Sequence, residues 1–203
     1  LVRRARVEVS GKLYERVTFK LGLEFGRTSD ADLRDAYLDV RAFDWARLRV
    51  GQMLTPFSTE RLTSSNVMKL PERPMIIGAI AESREVGLML HGQVLDRLLT
   101  YAVGVFNGNG QNVGKDDDDD KDVVARLESA PLPGLLLAGS YRFTPGNRAH
   151  SRGPADIATV GNQLTRFLDY DTVGTRHLGA RERGTLDARL RLGPVEVKGE
   201  LLW

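Results

Sequence analysis

The sequence predicts an all-β fold of about ten antiparallel strands, and three observations lead there. Ten segments of roughly 9 to 11 residues alternate apolar with polar side chains, the period of a strand. The connections between them alternate as well, short turns near residues 14, 44, 95, 132 and 193 exchanging with longer polar stretches near 29, 66, 114 and 162. No apolar run approaches the ~20 residues that a membrane-spanning helix requires, so a helical membrane protein is excluded. Two architectures satisfy this pattern: a transmembrane β-barrel, with short turns on one side of the bilayer and long loops on the other, and a soluble two-sheet sandwich or lipocalin-like barrel.

Taken in order, Ala5, Val7, Val9, Gly11 and Leu13 alternate with Arg4, Arg6, Glu8, Ser10 and Lys12. After a turn at Tyr14 and Glu15, Val17, Phe19, Leu21, Leu23 and Phe25 alternate without error against Thr18, Lys20, Gly22, Glu24 and Gly26. Ala36, Leu38, Val40 and Ala42 oppose Asp35, Tyr37, Asp39 and Arg41, and Phe43 with Trp45 at the next turn suits an interfacial aromatic girdle. Leu48 and Val50 alternate with Arg47 and Arg49, and Val86, Leu88 and Leu90 with Glu85, Gly87, Met89 and His91. Between these two strands lie about thirty residues, read as one long polar excursion, with Pro56, Pro71 and Pro74 and a short helix from Ser58 to Met68. Loops of that length in a compact chain are usually functional or disordered.

Leu99, Tyr101, Val103 and Val105 then oppose Thr100, Ala102, Gly104 and Phe106; Val123, Ala125 and Leu127 oppose Val124, Arg126 and Glu128. Leu137, Gly139, Tyr141 and Phe143 oppose Ala138, Ser140 and Arg142. The last pair sets Leu186, Ala188, Leu190 and Leu192 against Asp187, Arg189 and Arg191, and Val195, Val197 and Leu201 against Glu196, Lys198 and Glu200. The apolar face is half Val, Leu and Ala with several glycines, and a soluble core would call for larger side chains.

Composition removes several function classes. The 203 residues carry a net charge of +2, too little to imply a nucleic-acid partner. There is no cysteine, so disulfides and thiolate metal sites cannot occur. No signal peptide is visible at Leu1.

The blocks GQMLTPFSTERLTSS, PERP, SREVGLMLHG, TYAVGVFNGNGQN and KDVVARL occur in that order and spacing over most of residues 3 to 144. In these the chain resembles the phosphate-selective porins O and P, the outer-membrane β-barrels of Gram-negative bacteria. The resemblance decides between the two architectures. It implies an antiparallel transmembrane β-barrel over residues 1–203, with long loops near 53–81, 107–121 and 144–180, set in the outer membrane among lipid and lipopolysaccharide. It further implies a homotrimer, passage of phosphate, polyphosphate or other small anions, and no cofactor. The resembled porins have sixteen strands, so the ten strands here are expected to be part of a larger barrel. A terminal aromatic residue can be an assembly signal, and Trp203 leaves open the rival reading in which ten strands close alone.

If the apolar face meets lipid, the polar face lines a lumen. The cations expected there are Lys20, Arg41, Arg47, Arg49, Arg126 and Arg142, joined on the 53–81 loop by Arg61, Lys69 and Arg73. Guanidinium groups hold phosphate oxygens bidentately and stay charged at any working pH. Over all inward candidates the positive excess is only three. Charges in salt act over about 8 to 10 Å, so the narrowest point sets selectivity rather than the sum. Glu60 with Arg61, and Glu72 with Arg73, also fit as ion pairs that merely stabilise the loop.

No enzyme is expected: there is no paired catalytic group, nucleophile elbow or phosphate-binding glycine loop. The run Asp116 to Asp120 offers hard oxygen ligands but lacks the glycine and terminal glutamate of a calcium loop. His91, His150 and His177 have no metal spacing. Besides a passive anion channel, a non-conducting barrel serving as a scaffold for partner proteins and a soluble β-rich binding protein remain open on the residues alone.

Overall fold

A computed structural model describes residues 5–25, 31–43, 45–69, 72–81, 84–113, 120–145 and 180–203. Arg4, Asp44, Asp116 to Asp119, His150, His177 and nearly all of the 144–180 loop lie outside the described residues. Ten strands form one antiparallel sheet: β1 (Ala5–Leu13), β2 (Val17–Phe25), β3 (Asp32–Arg41), β4 (Arg47–Leu54), β5 (Arg84–Val94), β6 (Leu99–Phe106), β7 (Asp122–Leu132), β8 (Leu135–Thr144), β9 (Arg181–Leu192) and β10 (Val195–Leu202). Each pairs only with its neighbours in sequence, giving the order β1 to β10, and among the described residues β1 and β10 do not pair with each other.

The registers put every expected face where the alternation placed it. Lys20 stands opposite Tyr37 and Ser10, Asp39 opposite Arg49, and Arg126 opposite Ser140. One irregularity escaped the period: a bulge between Gly22 and Leu23 of β2 leaves Arg34 as an extra residue of β3. A bulge puts two consecutive residues against one partner and re-aims a side chain. Arg34 and Asp35 consequently both reach polar-face partners, Glu24 and Lys20. The short turns take backbone conformations with positive φ, at Tyr14, at Leu95 to Arg97, and at Gly134 and Gly193. Phe43 and Trp45 stack at the β3–β4 turn with ring centroids 5.4 Å apart.

The burial is inverted relative to a soluble protein. Val9, Leu21, Val50, Leu88, Val103, Leu127, Leu186 and Val197 on the apolar face are exposed, whereas Asp35, Asp39, Glu85, Asp122, Arg126, Arg142 and Asp187 on the other face are buried. Buried charge beside a broad exposed apolar surface is the informative departure from the usual rule. A sandwich would have covered that apolar face with a second sheet; lipid is the solvent that suits it. No helix among the described residues is long and apolar enough to cross a membrane. Leu21 sits at the middle of β2 between Val9 and Ala36. Leu21→Arg is expected to cost about 2–4 kcal/mol, the price of a cation near the bilayer midplane. The check is the urea midpoint of the protein folded in phospholipid vesicles, and an unshifted midpoint would mean that this face does not meet lipid.

The long connection from β4 to β5 carries two short helices, α1 (Thr59–Leu62) and α2 (Met75–Ile80), in place of the single helix expected over 58–68. Ser58 caps α1 through its hydroxyl, which accepts from the Arg61 amide at 3.1 Å. The Thr63, Ser64, Ser65 run ends it, residues whose hydroxyls compete for backbone partners. Pro74 precedes α2, a residue preorganised to start a helix. Residues Met53 and Leu54, expected in the loop, belong to β4.

Candidate functional site

The connection 55–83 packs against the polar face of the sheet instead of leaving it. Phe57, Ile77 and Ala81 from this segment join Met53, Met89, Phe106 and Val124 from the strands in a buried apolar cluster, on the face that is otherwise polar. Phe106 lies flat over Gly87 and Gly104, where a Cβ would come within 2.5 and 2.6 Å of its ring. Polar contacts fasten the segment further along. The Thr59 amide donates to Asp187 Oδ1 at 3.4 Å, the Glu60 amide to Glu200 Oε2 at 3.1 Å, and Arg126 Nη2 to Thr59 Oγ1 at 2.6 Å. Lys69 reaches Glu196 at 3.4 Å, and Arg6 donates to Ser65 Oγ at 2.8 Å. The segment thus crosses from β4 to partners on β9, β10 and β1.

Between the segment and strands β1 to β5 lies a polar cavity of about 1020 Å³. Seven cations line it (Arg6, Lys20, Arg34, Arg49, Arg61, Arg73 and Arg84) with five carboxylates (Glu8, Glu24, Asp32, Asp35 and Glu72). On the strand wall, one carboxylate is shared by two cationic partners. Glu24 accepts from Arg6 at 3.1 Å and from Arg34; Asp35 pairs with Lys20 at 3.2 Å and Arg84 at 2.8 Å. Asp39 accepts from Arg49 at 2.7 Å and faces His91 Nε2 at 2.8 Å. Arg49 also lies 4.4 Å from the centre of the Tyr37 ring, a cation–π contact that fixes its position. Lys20 has a second carboxylate at 3.4 Å, that of Glu8. On the segment, Arg73 donates to the Glu60 and Thr63 carbonyls, closing the turn after α1.

The wall from β5 to β9 has the opposite stoichiometry. Arg142 is held by two carboxylates, Glu85 at 2.7 Å and Asp122, while Thr144 donates to Asp122 at 3.1 Å. Arg126 is held by Asp187 at 3.2 Å and Glu128 at 3.0 Å, and donates to Ser140 at 2.8 Å. Arg142 is 1% exposed and Arg126 6%. The other oxygen of Glu85 accepts from the Gly108 amide at 3.1 Å, which pins the start of the β6–β7 connection.

Four of the nine cations singled out in the sequence, Lys20, Arg49, Arg61 and Arg73, meet in the cavity. Arg41 and Arg47 stand opposite each other at the short-turn end, both exposed. Lys69 is drawn to Glu196, and Arg126 and Arg142 lie in the carboxylate networks under the segment. Sequence reasoning missed Arg34 and Arg84. Asp32, Leu33, Arg34, Asp35 break the period-2 pattern, and that break was the available signal for Arg34. Arg84 stands just before the alternation of β5 begins. No metal-ligating cluster occurs among the described residues.

An all-β sheet with lipid-facing apolar side chains, a polar inner face, and a segment folded across that face is the anatomy of a pore. No curated protein matches the chain. The family model described as phosphate-selective porin O and P matches residues 1–158, most of the chain, and on the strength of that match the chain belongs to the phosphate-selective porin O and P family of outer-membrane channels.

Proposed function

We propose that this chain forms a passive outer-membrane channel for small anions, phosphate and polyphosphate among them, whose constriction is the cavity between segment 55–83 and strands β1 to β5. The observation that carries the reading is the sharing of carboxylates on that wall. Glu24 and Asp35 each hold two cations, so the cavity is lined by seven cations against five carboxylates. In a space this narrow an anion passes within the ~8 to 10 Å over which each charge acts. The guanidinium groups of Arg6, Arg34, Arg49, Arg61, Arg73 and Arg84 are the donors for phosphate oxygens; they bring planar forks and need no change of protonation. The exposed apolar band supports contact with outer-membrane lipid, with lipopolysaccharide at the loop end, and family membership supports a homotrimer.

The test is the reversal potential of the protein in planar bilayers across a tenfold chloride gradient, repeated with phosphate. Anion preference in chloride and a current block by millimolar phosphate are expected. A reversal potential at the cation side would reject the reading. A complete lack of conductance after reconstitution would favour the scaffold alternative instead.

A further inference from the structure

We infer that segment 55–83 seals the inner face beneath it, at the middle of β5 to β9, and leaves water beside β1 to β4 and Arg84, so that solute crossing the level of the segment moves along that wall. This goes beyond the channel reading on which it rests: it removes Glu85, Asp122, Arg126, Arg142 and Asp187 from the pore. Inner-facing positions alternate along all ten strands, yet beneath the segment, at the middle of β5 to β9, they are closed off, while Glu128 and Lys198 toward the short turns stay 34 and 35% exposed and Asp35 and Asp39 of β3 are paired with their own cations. Val124, Phe106, Glu85 and Arg142 are 0 to 1% exposed, whereas the side chains of Arg6, Lys20 and Arg49 keep 24 to 28% and that of Glu8 keeps 50%.

The cause is the apolar cluster. Phe57 and Ile77 seal against Phe106 and Val124, and beyond β5 the cavity is lined by Gln111 of the β6–β7 connection but by no residue of strands β6 to β10. An ion would lose its hydration on entering the sealed side, at a cost of several kcal/mol. The division also decides the sign of the field. The carboxylates of Glu85, Asp122 and Asp187 belong to the sealed part, where the arginines hold two carboxylates each. Passing solute therefore meets the cation-rich wall, and the near-neutral sum over the whole inner face does not describe what it meets.

The chain has no cysteine, so single cysteines report unambiguously. Asn66→Cys and Glu8→Cys place the thiol in or beside the cavity; Val124→Cys and Ala138→Cys place it on the sealed part of the inner face. Each full-chain variant, folded in lipid vesicles, is exposed to a membrane-impermeant anionic methanethiosulfonate, and modification is followed by mass. Cysteines at 66 and 8 should label fully, and those at 124 and 138 on the order of a hundredfold more slowly, since labelling there waits for local opening. All four should label at one rate in denaturant. Ala138→Cys is the mild substitution, keeping the comparison alive if Val124→Cys fails to fold. Fast labelling of folded Ala138→Cys would overturn the division. Labelling as expected with no current in any variant would leave the division standing and reject the channel reading instead.

Discussion

Replacing Arg142 with methionine is expected to lower stability by about 3–5 kcal/mol, with little left for selectivity to report. Its guanidinium is 1% exposed and is the shared partner of Glu85 and Asp122, themselves 0 and 1% exposed. Removing one member of such a network strands like charges in a low-dielectric interior, the costly way to break a buried ion pair. The two carboxylates also come from β5 and β7, so the loss would loosen the sheet where segment 55–83 is sealed to it. The measurement is the urea midpoint in phospholipid vesicles. Neutralising the acids together with the arginine, as Arg142→Met with Glu85→Gln and Asp122→Asn, should recover most of the loss, because uncharged groups of the same shape carry no Born penalty. If Arg142→Met alone is as stable as the parent, the network is not what holds this part of the wall.

The second large effect is on permeation. Lys20→Gln combined with Arg49→Gln should lower the anion-to-cation permeability ratio on the order of tenfold, since a charge about 5 Å from a passing ion in water contributes close to 1 kcal/mol. The pair is chosen for what remains behind. Asp35 keeps Arg84, and Asp39 keeps its contact with His91, so neither carboxylate loses its last partner. The double variant is therefore expected to fold and insert like the parent while its reversal potential moves toward zero or past it. Neutralising Arg41, which is exposed at the short-turn end and does not line the cavity, should change the ratio far less. An unchanged ratio in the Lys20, Arg49 variant would separate the cavity from the permeation path.

Sequence by itself determined the sheet. Ten alternating segments set strand number and face, because the side-chain period of a strand is two and a slip of one residue would reverse every face. The membrane reading came less from periodicity, which a soluble sandwich shares, than from the resemblance; inverted burial then supplied the physical reason. Among the candidate residues, the alternation placed Lys20, Arg49, Arg126 and Arg142 on the correct face but could not separate the first two from the last two. That separation depends on partners 14 to 67 residues away, such as Ser140 and Thr59 for Arg126. It also depends on a segment whose own sequence is polar enough to read as a solvent loop. Phe57 and Ile77, twenty residues apart in that segment, belong to no common period, yet both join Phe106 and Val124, apolar residues at polar-face positions on two other strands. The bulge that turns Arg34 inward shows in the sequence only as a break in alternation at Asp32 to Asp35; which residue is the extra one is decided against the partner strand. What a residue faces is set by its own strand's pattern; whether it meets water or another side chain there is set by chain that arrives from elsewhere, and only the tertiary structure decides it.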